Sequence, residues 1–231
     1  MNLLIGMTTA NRRPRKNYLR ATVDQLVQQG LSDGQLHLFV SGPETSWMEI
    51  ESHPGIVVHI PERKLTRNEN GLALLQGMPE CDWVLHLEDD LVICTDFLGS
   101  VKRWLDKHAG RQKVYTFITF KGSRPGKEEW LSPRTSYGCM CVAMRYTDLK
   151  DFGKYVKKAL PKWRRSYSLG WRTSGFDMLM RQWAHEPFVA SHPDFVQHAG
   201  DESLTHAFRK RSIMRTRHFA GVDWSYQQEG T

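Results

Sequence analysis

The run Trp83-Val84-Leu85-His86-Leu87-Glu88-Asp89-Asp90-Leu91 constrains this chain most, because an apolar segment ends abruptly in three successive carboxylates. A short Val/Leu/Trp run bounded by polar residues reads as a buried strand. Open α/β sheets bind ligands beyond the carboxyl ends of their strands, which is where Glu88, Asp89 and Asp90 fall. Three adjacent acids repel one another and stay ionised only if a cation or strong donors compensate. An oxygen-rich group of this kind suits Mg²⁺ or Mn²⁺ bridging to substrate phosphates. The same triplet also has the form of a solvated acidic turn after a strand.

The pattern on either side predicts alternating elements. Residues 3–7 read as a strand and 8–13 as a polar loop. Pro14 opens a helix that reaches Gly30, with Tyr18, Val23, Leu26 and Val27 facing inward. Residues 35–40 and 55–60 read as strands, and 66–78 as a helix carrying Leu72, Leu74 and Leu75. The fourth strand is 81–87. Thr95 or Asp96 caps the next helix, whose apolar positions are Phe97, Leu98, Val101, Trp104 and Leu105. This order predicts an α/β fold: a Rossmann-like, mostly parallel sheet flanked by helices. The second half is less regular. It reads as a strand at 114–120, a loop at 121–133, a strand at 138–144, a helix at 147–160, a basic aromatic loop at 162–170, a helix at 175–184 and extended chain at 187–198. The simplest organisation is one domain over 1–231, with halves at 1–110 and 111–205 and a basic tail from 206.

Composition narrows the function classes. With 40% hydrophobic and 25% charged residues, the chain has a soluble globular balance. Cys81, Cys94, Cys139 and Cys141 are too few and too scattered for a disulfide framework, and the spacing of the last two is not that of a zinc site. They read as reduced core thiols of a cytoplasmic protein. No apolar run approaches membrane-span length, and the first seven residues read as a strand rather than a signal peptide. The net charge of +7 is unevenly spread. Residues 1–23, 107–127, 152–176 and 203–222 contain no acid. Such blocks are solvated faces or a field for a polyanion, whether nucleic acid, nucleotide diphosphate or anionic membrane. In the third block, Lys162, Trp163, Arg164, Arg165 and Tyr167 interleave cations with aromatics, as a nucleic-acid groove does; the last block adds Arg209 and Arg211.

The order of elements, with acids closing the fourth strand, resembles the GT-A glycosyltransferases. Glu88-Asp89-Asp90 looks like the Glu-Asp-Asp variant of their Asp-x-Asp motif, and Asp96-Phe97 opens the next helix as in the N-acetylglucosaminyltransferases of N-glycan branching. A second patch, Pro193-Asp194-Phe195-Val196-Gln197-His198-Ala199-Gly200, resembles their late Pro-x-x-x-Gln-His-x-Gly segment. The likeness runs over roughly residues 3–205 and is specific in a few short places.

The resemblance implies a UDP-sugar donor bound by the first half and a divalent Mn²⁺ or Mg²⁺ cofactor. Asp90, the last acid of the motif, is then the metal ligand, joined by His198. Glu88 and Asp89 approach the ribose, the donor sugar or metal-bound water. Thr8, Thr9, Asn11 and Arg12 match the loop that grips the nucleoside, and Arg67, Asn68 and Asn70 match the helix start that contacts the base. An inverting transfer needs a general base, which the family places at the start of a late helix. Asp177 fits, being the sole acid between Asp151 and Glu186. It is equally a carboxylate that a helix N-terminus favours. For the acceptor, the basic blocks suggest a hydroxymethylated pyrimidine in DNA, as for a phage-encoded enzyme in the host cytoplasm. Lys162, Trp163, Arg164, Arg165, Tyr167, Arg209 and Arg211 would then face the nucleic acid. A bacterial surface-polysaccharide or lipid-linked glycan acceptor is the alternative, and a non-catalytic nucleic-acid-binding α/β protein is the rival of a different class. Oligomeric state is not legible.

Overall fold

The apolar run does form a strand, and that strand lies inside the sheet. A computed structural model describes residues 1–9, 18–44, 50, 52–108, 110, 112–118, 129–131, 141–168, 176–199 and 219–224, with backbone alone for 129–131 and 162–168. In chain order the elements are β1 (Leu3–Thr9), α1 (Tyr18–Gln28), β2 (Leu36–Val40), β3 (Ile56–His59), α2 (Arg67–Gly77), β4 (Trp83–Glu88), β5 (Leu91–Ile93) and α3 (Phe97–His108). There follow β6 (Tyr115–Thr116), β7 (Glu129–Leu131), β8 (Cys141–Arg145), α4 (Tyr146–Ser168), α5 (Phe176–Ala184), β9 (Phe188–Ala190) and β10 (Val196–His198).

The main sheet has the order β3-β2-β1-β4-β8-β6-β9-β7, and β10 pairs with β5 in a second, two-stranded ladder. Strands β3, β2, β1 and β4 are mutually parallel. β8 is antiparallel to both β4 and β6, β9 is parallel to β6, and β7 is antiparallel to β9. All strands of the main sheet but β8 and β7 therefore point one way. The mostly parallel α/β architecture expected from the sequence is the one observed.

Strand alternation sends successive side chains to opposite faces. Trp83, Leu85 and Leu87 join Ile5 and Met7 in a core with Leu19, Val23 and Leu26 of α1 and Phe97, Val101, Trp104 and Leu105 of α3. Val84 faces the other way, to Leu74 and Leu75 of α2, Phe152 and Val156 of α4, and Leu179, Met180 and Trp183 of α5. Each such side chain taken fully out of water contributes roughly 1.5–3 kcal/mol. Helix α2 lies close on β1 because Gly6 leaves room; a Cβ there would sit 3.0 Å from Leu74 Cδ1. Its ends are closed by side chains. Thr66 and Glu69 form a capping box, and bonds from Arg63 and Thr66 hold the Glu69 carboxyl down at about 2. At the other end the Lys150 ammonium lies 2.8 Å from the Gln76 carbonyl and 3.0 Å from that of Met78, a cation at the negative end of the helix.

Several boundaries differ from the sequence reading. Helix α4 runs through Pro161 to Ser168, so the expected loop at 162–170 is helical over its first seven residues. Proline removes one backbone bond, yet the helix continues through it for seven more residues. The expected loop at 121–133 contains β7, a short strand made by its partner β9 rather than by local pattern. β5 was not expected as a strand. Of the expected strand at 114–120, β6 is flanked by further backbone bonds, from the Val189 N–H to the Val114 carbonyl at 3.1 Å and from the Phe117 N–H to the Cys141 carbonyl at 3.1 Å, and residues 119–120 lie outside the described residues. Thr95 turns its hydroxyl to the Val222 carbonyl at 2.6 Å, leaving Asp96, at φ 49°, directly before α3. The predicted start of α1 at Pro14 and Cys139 lie outside the described residues. Cys81, Cys94 and Cys141 are free thiols, and burial pushes Cys94 up to about 12 and Cys81 to about 11. No helix among the described residues is long and apolar enough to cross a membrane.

On the β3 side of the sheet, His37 Nδ1 lies 2.9 Å from His59 Nε2, and the His59 ring stacks on Phe39 at 4.1 Å. Burial lowers both imidazole pKa values, and the charge of His59 lowers that of His37 further. Protonation is thus penalised in the folded chain. Above pH ~6.5 both rings are neutral in both states; below it the unfolded chain takes up protons first, and stability falls. We expect the thermal midpoint to drop between pH 7.5 and pH 5.0, and to drop less in a His59→Phe variant that keeps the stack. Parallel pH profiles for the two proteins would rule the pair out as the cause.

Candidate functional site

The acidic run leaves the sheet beside β1, where connections depart in opposite directions. The chain after β1 crosses to β2, and the chain after β4 crosses to the other half of the sheet. Ligands of open α/β sheets lie in such a crevice. Strand period separates the first two acids. Glu88 pairs in register with Thr8 and faces the α2 and α5 side. Its carboxylate binds the Arg67 guanidinium at 3.2 Å. Asp89 turns to the α1 side, is buried, and accepts a hydrogen bond from the Thr9 hydroxyl. Asp90 is also buried, and its Oδ2 lies 3.1 Å from His198 Nε2. The three carboxylates thus meet three different groups: Arg67, Thr9 and His198.

The Asp90–His198 contact is built by the β5–β10 ladder. His198 pairs with Leu91 and Val196 with Ile93; the Ala199 N–H donates to the Asp90 carbonyl at 2.8 Å. Helix α1 seals the other edge of β5. The Thr22 hydroxyl accepts from the Leu91 N–H at 3.1 Å and lies 3.0 Å from the Leu91 carbonyl and 3.1 Å from that of Asp89. Gln25 accepts from the Ile93 N–H at 3.0 Å. Gln29 accepts from the Phe97 N–H at 2.7 Å and donates to the Cys94 carbonyl at 2.8 Å. Thr22 and Gln25 of α1 thus stand in for a neighbouring strand beside β5, and Gln29, just past the helix, continues the same role along the chain that leads into α3. Sequence reasoning passed over them; their signal was polar residues beside the apolar positions Leu19, Val23 and Leu26.

A cleft opens on the α2–α5 side of the same edge. Thr8, Arg67, His86, Glu88 and Asp177 give it polar groups, and Leu74, Leu75, Met144, Phe176 and Met180 give it apolar walls. Helix α5 approaches α2 closely at Gly71, where a Cβ would lie 2.9 Å from the Phe176 ring. Asp177 occupies the first turn of α5, and its Oδ1 accepts the Met178 N–H at 3.1 Å.

Of the residues predicted from sequence, the structure brings Thr8, Arg67, Glu88 and Asp177 to one cleft, and Asp90 and His198 to one contact. Thr9 is buried, and its carbonyl accepts from Asn70 at 3.2 Å. Asn70 is buried too and also donates to the Phe39 carbonyl at 3.0 Å, tying the ends of β1 and β2 together. Asn68 is half-buried in the first turn of α2. Lys162, Trp163, Arg164, Arg165 and Tyr167 belong to α4 and are described by backbone alone. Asn11, Arg12, Arg209 and Arg211 lie outside the described residues. His86 and the apolar walls of the cleft were not anticipated. Among the described residues no three His, Cys, Asp or Glu side chains gather as a metal cage. Asp90 and His198 offer one oxygen and one nitrogen donor.

The chain matches no protein-family model and no curated protein sequence. Its fold is similar to that of the galactosyltransferase LgtC, solved with donor and acceptor sugar analogues, at a TM-score of 0.50 and 12% identity over 81% of this chain and 73% of that one. It is similar also to the glycosyltransferase GlyE of Streptococcus pneumoniae (TM-score 0.51, 10% identity, 81% of this chain and 45% of that one). A third likeness is to TarS of S. aureus (TM-score 0.55, 14% identity, 87% of this chain and 37% of that one). The architecture is the GT-A fold.

Because Thr22 supplies the bond that the Leu91 N–H would otherwise lack, Thr22→Val should destabilise the chain by about 1–3 kcal/mol. Thr22→Ser, which keeps the hydroxyl, should recover most of that loss. Urea unfolding of both variants checks this, and equal stabilities would show that the hydroxyl contributes nothing.

Proposed function

We propose that this protein is a metal-dependent, inverting glycosyltransferase. In this reading it moves a hexose from a UDP-sugar to an acceptor hydroxyl, and the acceptor is a hydroxymethylated pyrimidine in DNA. The observation that carries the reading is the Asp90–His198 contact at the edge of a GT-A sheet, next to a cleft that holds Glu88, Arg67 and Asp177. A bound Mn²⁺ or Mg²⁺ supplies neutralisation of the diphosphate that departs with negative charge. The donor set fits such an ion. A carboxylate and an imidazole suit Mn²⁺, and Asp90 and His198 would hold it.

The remaining groups divide the work. Asp177, in the first turn of α5 and lining the cleft, is the base that takes the proton of the acceptor hydroxyl. Arg67, held by Glu88, puts a cation beside the donor phosphates, and Thr8 and Asn68 with Asn11 and Arg12 grip the nucleoside. Asp89 acts on the donor side by holding Thr9, whose carbonyl in turn holds Asn70. The sequence pI of about 9.3 and the acid-free blocks support a polyanionic acceptor.

Incubating the chain with UDP-sugars, Mn²⁺ and hydroxymethylated DNA, followed by mass spectrometry of the nucleosides, tests the whole reading. Mn²⁺-dependent hydrolysis of the donor separates an enzyme from a silent binder. Asp90→Asn should abolish metal-dependent turnover while the circular dichroism stays that of the parent. Unchanged turnover at saturating Mn²⁺ would remove Asp90 from the metal site.

Asp177→Asn should lower turnover by about 10²–10⁴-fold, the usual contribution of a general base, with UDP-sugar affinity close to that of the parent. A large loss of donor affinity at normal turnover would make Asp177 a donor contact instead.

A further inference from the structure

We propose that the outer face of α4 is a DNA-docking element that lies in the major groove of a B-form duplex; this rests on the DNA-acceptor reading above. The helix is 23 residues long, or roughly 35 Å. One side of it is spent in the core, where Leu149, Phe152 and Val156 are buried. Lys154, Lys157 and Lys158 are exposed on the other. They form no ion pair among the described residues.

The backbone extends this pattern. At 3.6 residues per turn, positions 162, 164 and 165 continue the side that carries Lys154, Lys157 and Lys158, and they hold Lys162, Arg164 and Arg165. All six cationic positions fall within about 160° of the helix circumference. Positions 163 and 167 fall two and three turns beyond Val156 in helical period. No acid occurs from residue 152 to 176 until Asp177.

The spread of charge selects the partner. A flat bilayer meets only the crest of a convex helix, and the apolar side that could enter it is already buried. A groove about 12 Å wide admits a helix and brings phosphates to both flanks, where the outermost cations lie. The major groove of A-form RNA is too narrow for this. The C5 substituents of pyrimidines also point into the major groove of DNA, so the helix and the acceptor hydroxyl occupy the same groove. Chain direction agrees, since α4 ends at Ser168 and Asp177 follows in the first turn of α5.

The test is fluorescence anisotropy with a short hydroxymethylcytosine duplex between 50 and 200 mM salt. It compares the parent chain with the Lys154→Ala/Lys157→Ala/Lys158→Ala variant and the matching triple Gln variant. All three lysines are exposed, and circular dichroism confirms that each variant folds. We expect affinity at low salt to fall about tenfold or more, and the slope of log K against log salt to flatten by up to about 2.7, near 0.9 per lost phosphate contact. An RNA duplex of the same sequence should bind more weakly than the DNA. An unchanged slope in both variants, equal affinity for the two duplexes, or binding to phosphatidylglycerol vesicles without binding to DNA would each overturn the proposal. Mn²⁺-dependent UDP-sugar hydrolysis, measured on the same proteins, should be unaffected. If hydrolysis is absent from the parent while the DNA results are as expected, the transferase reading fails and the docking face stands.

Discussion

The three-residue antiparallel ladder between β5 and β10 is the interaction on which the acidic edge depends. A strand as short as β5, outside the main sheet, exposes backbone donors and acceptors that cost free energy unless paired. β10 satisfies one edge and the side chains of Thr22 and Gln25 satisfy the other. Closed on both sides, β5 pins the chain where it leaves β4. That closure holds Asp90 beside His198, a residue 108 positions later.

The rest of the site is a consequence of how the helices lie on the sheet. Gly6 lets α2 sit close on β1, and Gly71 lets α5 sit close on α2, so the N-terminal turns of both helices meet over the carboxyl ends of β1 and β4. Lys150 fixes the far end of α2 from α4. Charge is then sorted by strand period: Glu88 toward Arg67 in the cleft, Asp89 inward to Thr9. The three neighbouring carboxylates meet three different groups, Arg67, Thr9 and His198.

Legibility followed the range of the forces involved. The apolar positions of α3 were read as they stand because an amphipathic period is local. The end of α4 differs from the sequence reading because Pro161 is a local stop signal that the helix runs through. β7 and β5 were missed because neither has a pattern of its own; each exists through its partner. Asp90 and His198 were named together through motif resemblance, yet nothing local to either residue says that they touch. Asn70, foreseen as a base contact, is buried in the structure and ties β1 to β2.

The sequence by itself determined the class of fold, the central strand, the placement of three acids at its carboxyl end and the clustering of positive charge. These follow from period, burial preference and composition, which act over a few residues at a time. Tertiary structure alone decided that the acids part company, that Arg67 answers Glu88, that α1 serves as a surrogate strand for β5, and that Asp177 shares a cleft with Glu88. Those are pairings across 20 to more than 100 residues, set by sheet order and close helix approach, and no local pattern encodes them.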